Sequence, residues 1–307
     1  MQNNREVWRI ADLLHHGILL FENVGIETPQ SEAELVLAHC LELSRTDLYL
    51  RAEEQIGKVQ AARCLAMLRR RSEREPLAYI TGEREFWSYT FNVSPAVLIP
   101  RPETEILVER VFAVQDGSYH SGKCLDLCCG SGVIGIVLAL ELDLEVIGVD
   151  ISRPALEVCR SNCVRHGMEQ RVHLVQGDLA SCFVENEQFS LITCNPPYVS
   201  SRDMAAGMQP EVVNHEPALA LEGGPGGLKQ IRRIIPSIAS LLAPGGYFFM
   251  EIGFDQGTAV KELLTTSETL DIYASIDIIK DYSGRDRVVQ VRKKDLFWDW
   301  IISKWKN

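Results

Sequence analysis

Apolar residues recur along the 307-residue chain with two different periods, and the change from one to the other divides it. From Val7 through Leu20 they fall at helical spacing. Ser31-Glu32-Ala33-Glu34 reads as a capping box, with Leu35-Val36-Leu37 opening the apolar face behind it. Ala61 to Arg71 predicts another helix, apolar on one side and basic on the other, where Arg69, Arg70, Arg71 and Arg74 read as a solvated face. Residues 1–78 are therefore expected to form a small all-helical domain, of a kind that binds a partner or covers a site. Residues 79–102 change character. Phe86 to Val93 is rich in aromatic and β-branched residues and predicts a hairpin that connects the domains, ended by Pro100-Arg101-Pro102.

Over residues 103–294 strands and helices alternate. Strands are predicted at Lys123–Leu127, Glu145–Asp150, Val172–Gln176, Phe189–Cys194 and Tyr247–Glu251, with two more at Tyr273–Ile279 and Arg287–Val291. Helices fall at Val133–Leu142, Pro154–His166, Gly227–Leu242 and Gly257–Leu264, the third stopped by Pro244-Gly245-Gly246. The alternation predicts an α/β fold with a mostly parallel sheet covered on both faces. Ligands of such sheets bind at the C-terminal strand edges. Residues 295–307 form an aromatic amphipathic tail that is expected to dock on the chain's own surface.

Composition narrows the class. At 46% hydrophobic and 24% charged, the chain is that of an ordinary globular protein. No apolar run approaches the ~20 residues of a membrane span, and residues 1–6 lack the apolar core of a signal peptide. A cytoplasmic protein with no membrane contact is expected. The nine cysteines show no paired C-x-x-C spacing and no histidine completes a zinc set, so buried free thiols and no metal are expected. A net charge of −11 and a pI near 5.2 argue against nucleic acid as the main partner and suit a basic protein substrate.

The candidate chemistry lies at the predicted strand ends. Asp126-Leu127-Cys128-Cys129-Gly130-Ser131-Gly132 links the first of these strands to a helix. Glycines permit close backbone approach, and a helix N-terminus offers free N–H groups. Such a turn suits a dinucleotide, a phosphate or S-adenosylmethionine. The spacing is neither G-x-G-x-x-G nor a P-loop. Asp126 puts an anion where the ammonium of the methionine part would sit. Asp150 ends the second strand, where a carboxylate accepts ribose hydroxyls, although a NAD site uses the same device. Asp178 and Leu179 follow the third strand, where adenine contacts are expected. After the fourth strand comes Asn195-Pro196-Pro197-Tyr198. Its prolines fix the turn. Asn195 offers a side-chain carbonyl, Pro196 a backbone carbonyl and Tyr198 an aromatic face, a set suited to holding a planar amino nitrogen while a methyl group is delivered.

Together these residues resemble the class I S-adenosylmethionine-dependent methyltransferases that modify planar nitrogens. Pro76 to Trp87, Val97 to Glu105, Asn214 to Leu221 and Gly223 to Leu228 look like one branch, the release factor glutamine methyltransferase family, HemK/PrmC. The resemblance implies a Rossmann-like, seven-stranded sheet and N5-methylation of the glutamine in the Gly-Gly-Gln loop of peptide chain release factors, by a monomer. Carried over residue by residue, it has Asp126, Leu127, Cys128, Cys129, Gly130, Asp150, Asp178, Leu179 and Asn195 contact the cofactor. Asn195, Pro196, Pro197 and Tyr198 would hold the substrate glutamine, with Asn195, Pro196 and Tyr198 catalytic. Two positions depart from the family pattern: Cys128-Cys129, where a Gly-Thr pair is usual, and Leu179, where an aromatic is common. The competing readings are a DNA adenine or RNA base N-methyltransferase, which would need a grip on phosphates and an extruded base, and a non-catalytic binding module.

Overall fold

The computed structural model describes residues 7–114, 122–184, 188–266 and 271–295; the expected aromatic tail beyond Asp295 lies outside them. The chain forms two compact units, 1–83 with 209–215, and 84–208 with 216–307.

The first unit is helical, as its pattern predicts. It contains β1 (Trp8–Arg9), α1 (Ile10–Asn23), α2 (Pro29–Leu41), α3 (Arg45–Leu50), β2 (Gln55–Ile56), α4 (Lys58–Ser72) and α5 (Leu77–Thr81). Ile10, Leu13 and Phe21 of α1 pack with Val36 and Leu37 of α2 and Leu68 of α4 in one buried cluster. Two local expectations change. α2 starts at Pro29, two residues before Ser31, because a proline at the first helical position is already set to helical φ. Glu34 is therefore not a capping residue. It is buried and accepts hydrogen bonds from Gln30, Arg45 and Tyr49. The basic stretch is not a uniformly solvated face either. Arg71 is 5% exposed and pairs with Glu32 and, at 3.0 Å, with Glu211, which also receives Arg74 at 2.9 Å.

The second unit opens with the hairpin β3 (Glu83–Phe86) and β4 (Tyr89–Asn92), turned by Trp87 and Ser88 at φ 53° and 62°. Positive φ at both central residues matches the twist of a two-residue hairpin. The hairpin belongs to this unit rather than to a free connector. The fully buried Asn162 accepts from Asn92 N–H at 2.7 Å and donates to the carbonyls of Asn92 and Ser131 at 3.0 and 2.9 Å.

There follow α6 (Glu105–Ala113), β5 (Lys123–Leu127), α7 (Val133–Leu142), β6 (Glu145–Asp150), α8 (Arg153–His166), β7 (Val172–Gln176) and β8 (Phe189–Cys194). Next come α9 (Ser201–Gly207), α10 (Pro210–His215), which groups with the first unit, and α11 (Ala218–Leu221). The chain continues with α12 (Lys229–Leu241), β9 (Leu242–Glu251), α13 (Gly257–Leu264), β10 (Tyr273–Lys280) and β11 (Asp286–Lys293). The sheet order is β10-β11-β9-β8-β5-β6-β7, with β11 alone antiparallel to its neighbours. β9 begins five residues before the predicted Tyr247 and runs through Pro244-Gly245-Gly246.

Side chains alternate across the sheet with the two-residue period of strands. Cys124, Val146, Leu191 and Phe249 face one layer with α6, α7 and α8. Leu125, Ile192, Phe248 and Met250 face the other with α12 and α13. From β5 the order steps to β6 and β7 on one side and to β8 and β9 on the other. The C-terminal ends of β5 and β8, which carry the glycine loop and Asn195, therefore meet at the switch point, where ligands of open sheets bind.

Candidate active site

The glycine loop is built from three left-handed residues. Cys128, Gly130 and Gly132 have φ of +58°, +54° and +84°. Gly132 can be nothing else, since a Cβ there would lie 2.3 Å from Cys159 Sγ. Cys128 holds the same conformation with a side chain, in a region that costs an L-residue about 1–2 kcal/mol. Leu179, the other departure from the family pattern, is likewise left-handed at φ +54°.

Asp126 supports this loop from below. Its side chain points into the α7 layer and is 1% exposed. One oxygen accepts Gly135 N–H of α7 at 3.2 Å and the other Thr193 Oγ1 of β8 at 2.8 Å. Gly132, the residue before α7, has no side chain to cap the helix, and Asp126 takes over that task from the neighbouring strand. Burial pushes its carboxyl up to about 7.

Above the loop lies a cleft of about 190 Å³. Of the residues expected to bind, Cys128, Cys129, Gly130, Asp150, Asp178, Leu179, Asn195 and Pro197 line it. Asp126, Leu127, Pro196 and Tyr198 are not among the lining residues, and the Asp126 carboxyl is engaged by Gly135 and Thr193. Asp150 sits at the end of β6, where one oxygen accepts Gly130 N–H and the other Ser152 N–H, each at 2.9 Å. A carboxylate oxygen has two lone pairs, so each retains one for a hydroxyl in the cleft. Burial holds this carboxyl above its ordinary value. Asp178 accepts from Arg233 at 2.7 Å on the cleft's rim.

Asn195 is held from behind by residues that sequence reasoning passed over. Its Nδ2 donates to Glu251 Oε2 at 2.9 Å and to Thr104 Oγ1 at 3.2 Å. Glu251, at the end of β9 and 1% exposed, also accepts from Thr104 Oγ1 at 2.6 Å and from Tyr198 OH at 2.7 Å. Burial raises both the Glu251 carboxyl and the Tyr198 phenol above their usual ranges. Tyr198 thus turns its hydroxyl inward to Glu251. The turn's exit is clamped by Gln256, whose Nε2 donates to the carbonyls of Tyr198 and Gly226 at 2.9 and 3.1 Å. Gly227 completes the clamp at φ +70°, where a Cβ would come within 2.0 Å of the Tyr198 carbonyl oxygen.

The two family-like stretches around the cleft are tied together. Glu216, 6% exposed, accepts Ile99 N–H at 3.1 Å and pairs with Arg101. Glu251 carried a usable signal, being an acid at the end of an apolar strand, as Asp150 is. Thr104 lies within the Ile-Pro-Arg-Pro-Glu-Thr-Glu stretch. Among the described residues no cluster of His, Cys, Asp and Glu is arranged to hold a metal, and no helix is long and apolar enough to cross a membrane.

A seven-stranded sheet of this order, with a glycine loop, an acid and an Asn-Pro-Pro-Tyr turn at successive strand ends, defines a methyltransferase of the Rossmann-like class. Similarity to known proteins agrees. The family profile of the PrmC N-terminal domain matches residues 12–82, and that of the methyltransferase small domain residues 102–225. A release factor glutamine methyltransferase of Moorella thermoacetica is 40% identical over 86% of this chain and 91% of its own length. One from Geobacter sulfurreducens is 36% identical over 94% and 98%. The hMettl16 catalytic domain, solved with an RNA hairpin, shares the fold at 13% identity and a TM-score of 0.54, covering 76% of this chain and 80% of that one. The chain belongs to the release factor glutamine methyltransferase family.

Proposed function

We propose that this protein methylates the side-chain amide nitrogen of the glutamine in the Gly-Gly-Gln loop of peptide chain release factors. The observation that carries this reading is the orientation of Asn195. With Nδ2 committed to Glu251 and Thr104, its Oδ1 is left as an acceptor at the cleft. An acceptor there suits an N–H group of a planar amide.

The cleft's composition fits S-adenosylmethionine, which supplies an activated methyl group when bound. Asp150 would take the ribose hydroxyls, Leu179 and Ile151 would flank the adenine, and the Cys128–Gly130 backbone would border the methionine part. An amide nitrogen is a weak nucleophile because its lone pair is delocalised into the carbonyl. Asn195 Oδ1 and the Pro196 carbonyl would fix it in the attacking position and favour positive charge on it. Positioning of this kind is worth up to roughly 7–11 kcal/mol. No side chain need act as base before transfer, since the methylated cation is acidic enough to lose its proton to water.

The helical first unit would bind the body of the release factor. Cross-linking in a trapped complex is expected to join the factor to residues 1–83; links confined to the second unit contradict that role. The substrate class is tested by methyl transfer from labelled S-adenosylmethionine with a release factor and duplex DNA in competition. Label in the factor alone supports the reading, and label in DNA replaces it with base methylation.

A further inference from the structure

We infer that Glu251 is a positioning residue that sets which way the Asn195 amide faces. The inference rests on the function proposed above and extends it to a residue that is not among those lining the cleft.

A primary amide is nearly symmetric in shape but opposite in chemistry at its two ends, one accepting and the other donating. Turned by half a revolution, Asn195 would present an NH2 group to the substrate's own NH2, and no hydrogen bond would form. Something must therefore distinguish the two orientations. The backbone of the Asn-Pro-Pro-Tyr turn does not, because both fit the same space.

Glu251 does. An ionised carboxylate is acceptor-only, and its Oε2 lies 2.9 Å from Asn195 Nδ2. A turned amide would set Oδ1 against that carboxylate oxygen with no proton between them. Thr104 reinforces the choice: its hydroxyl proton is spent on Glu251 at 2.6 Å, so toward Asn195 its oxygen can only accept. The third donor, Tyr198 OH at 2.7 Å, occupies Oε1 and fixes the carboxylate's own rotation. One side chain from β9 thus holds both ends of the turn, Asn195 and Tyr198, and the strand beneath anchors it. β9 lies beside β8, with Met250 paired to Cys194, which brings the residue after each strand's last pair side by side.

The test compares two substitutions of similar size. Glu251→Leu accepts no hydrogen bond. Glu251→Gln keeps one acceptor for Asn195 and Thr104 while its NH2 faces the Tyr198 oxygen. Transfer to a release factor by the wild-type enzyme is measured first; its absence overturns the proposed function rather than this inference alone. Given transfer, Glu251→Leu is expected to lower kcat roughly hundredfold, the scale of a misplaced reacting group. KM for the factor and Kd for S-adenosylmethionine should stay within about threefold, because the loss is confined to the transition state. Glu251→Gln should recover kcat to within about tenfold of wild type. The inference is overturned if the Leu variant keeps its kcat, or if Gln loses as much as Leu. Should Glu251→Leu fail to fold, the deciding measurement is Glu251→Gln in an Asn195→Ala background. There the cost of the Gln substitution must vanish, and a cost that persists means Glu251 acts otherwise than through Asn195.

Discussion

Asp126→Asn separates a structural acid from a ligand-binding one, and its effect should change sign with pH. The native carboxyl is fully enclosed, and burial raises it from 3.8 to about 7. A carboxyl raised on folding contributes stability that is complete below its unfolded pKa of 3.8 and is lost as pH rises through about 7. At about 1.4 kcal/mol per tenfold change in proton affinity, the folded state loses roughly 3 kcal/mol from this group between about pH 5 and pH 8.

Asparagine cannot ionise, so its variant escapes that loss. It introduces another cost, because with Oδ1 taking Gly135 N–H the amide NH2 must donate to Thr193 Oγ1, and the Thr193 hydroxyl proton loses its acceptor. A buried donor left without its acceptor costs about 1–3 kcal/mol. Asp126→Asn should therefore be the less stable protein near pH 5 and match or exceed wild type near pH 8. The assay is urea unfolding of both proteins at several pH values, with the difference in midpoint converted through a common m-value. A difference that stays constant across this range would refute the argument, since it would mean that Asp126 is ionised throughout and that burial does not govern it.

Other outcomes follow from the same geometry. Asp150→Ala removes a carboxylate that borders the cleft and should weaken S-adenosylmethionine binding by about tenfold or more, the worth of a charged hydrogen bond. Asp126→Asn should weaken it far less, and calorimetric titration giving the reverse order would make Asp126 a ligand contact. Asn195→Ala should lower kcat by about 10²–10³ with cofactor affinity nearly unchanged; a loss of only a few-fold in single-turnover rate contradicts the orienting role. Arg71→Ala leaves Glu32 and Glu211 facing each other and should destabilise the first unit by about 3 kcal/mol, so a urea midpoint close to wild type would mean the network contributes little. Cys128→Gly relieves a left-handed side chain and should raise stability by up to about 1 kcal/mol after the entropy of glycine is counted, and a lowered thermal midpoint would contradict this.

What the sequence made legible was mostly local. The strands ending at Leu127, Asp150, Gln176 and Cys194 are short apolar runs bounded by turn residues, and all four close where their pattern predicts. Because a parallel sheet collects such ends on one edge, Asp150, Leu179 and Asn195 could be assigned to one site before any contact was known. The errors share a different cause. The partners of Arg71 stand 39 and 140 positions away, so its stretch of arginines read as a solvated face. Ser31 and Glu34 satisfy a capping spacing, yet Pro29 starts the helix first. That Asp126 also accepts from the first turn of α7 was hidden, because its position in the chain does not reveal that this helix lacks a cap of its own. Glu251 escaped notice because its role depends on the register of β9 against β8.

The central claim is that the cleft acts on a glutamine side-chain amide. The most direct test is tandem mass spectrometry of a release factor after incubation with this enzyme and S-adenosylmethionine. One added methyl on the glutamine of the Gly-Gly-Gln loop, in fragments that retain it on the side-chain amide, is the predicted result. An unmodified loop, or methylation at another residue, would contradict the account.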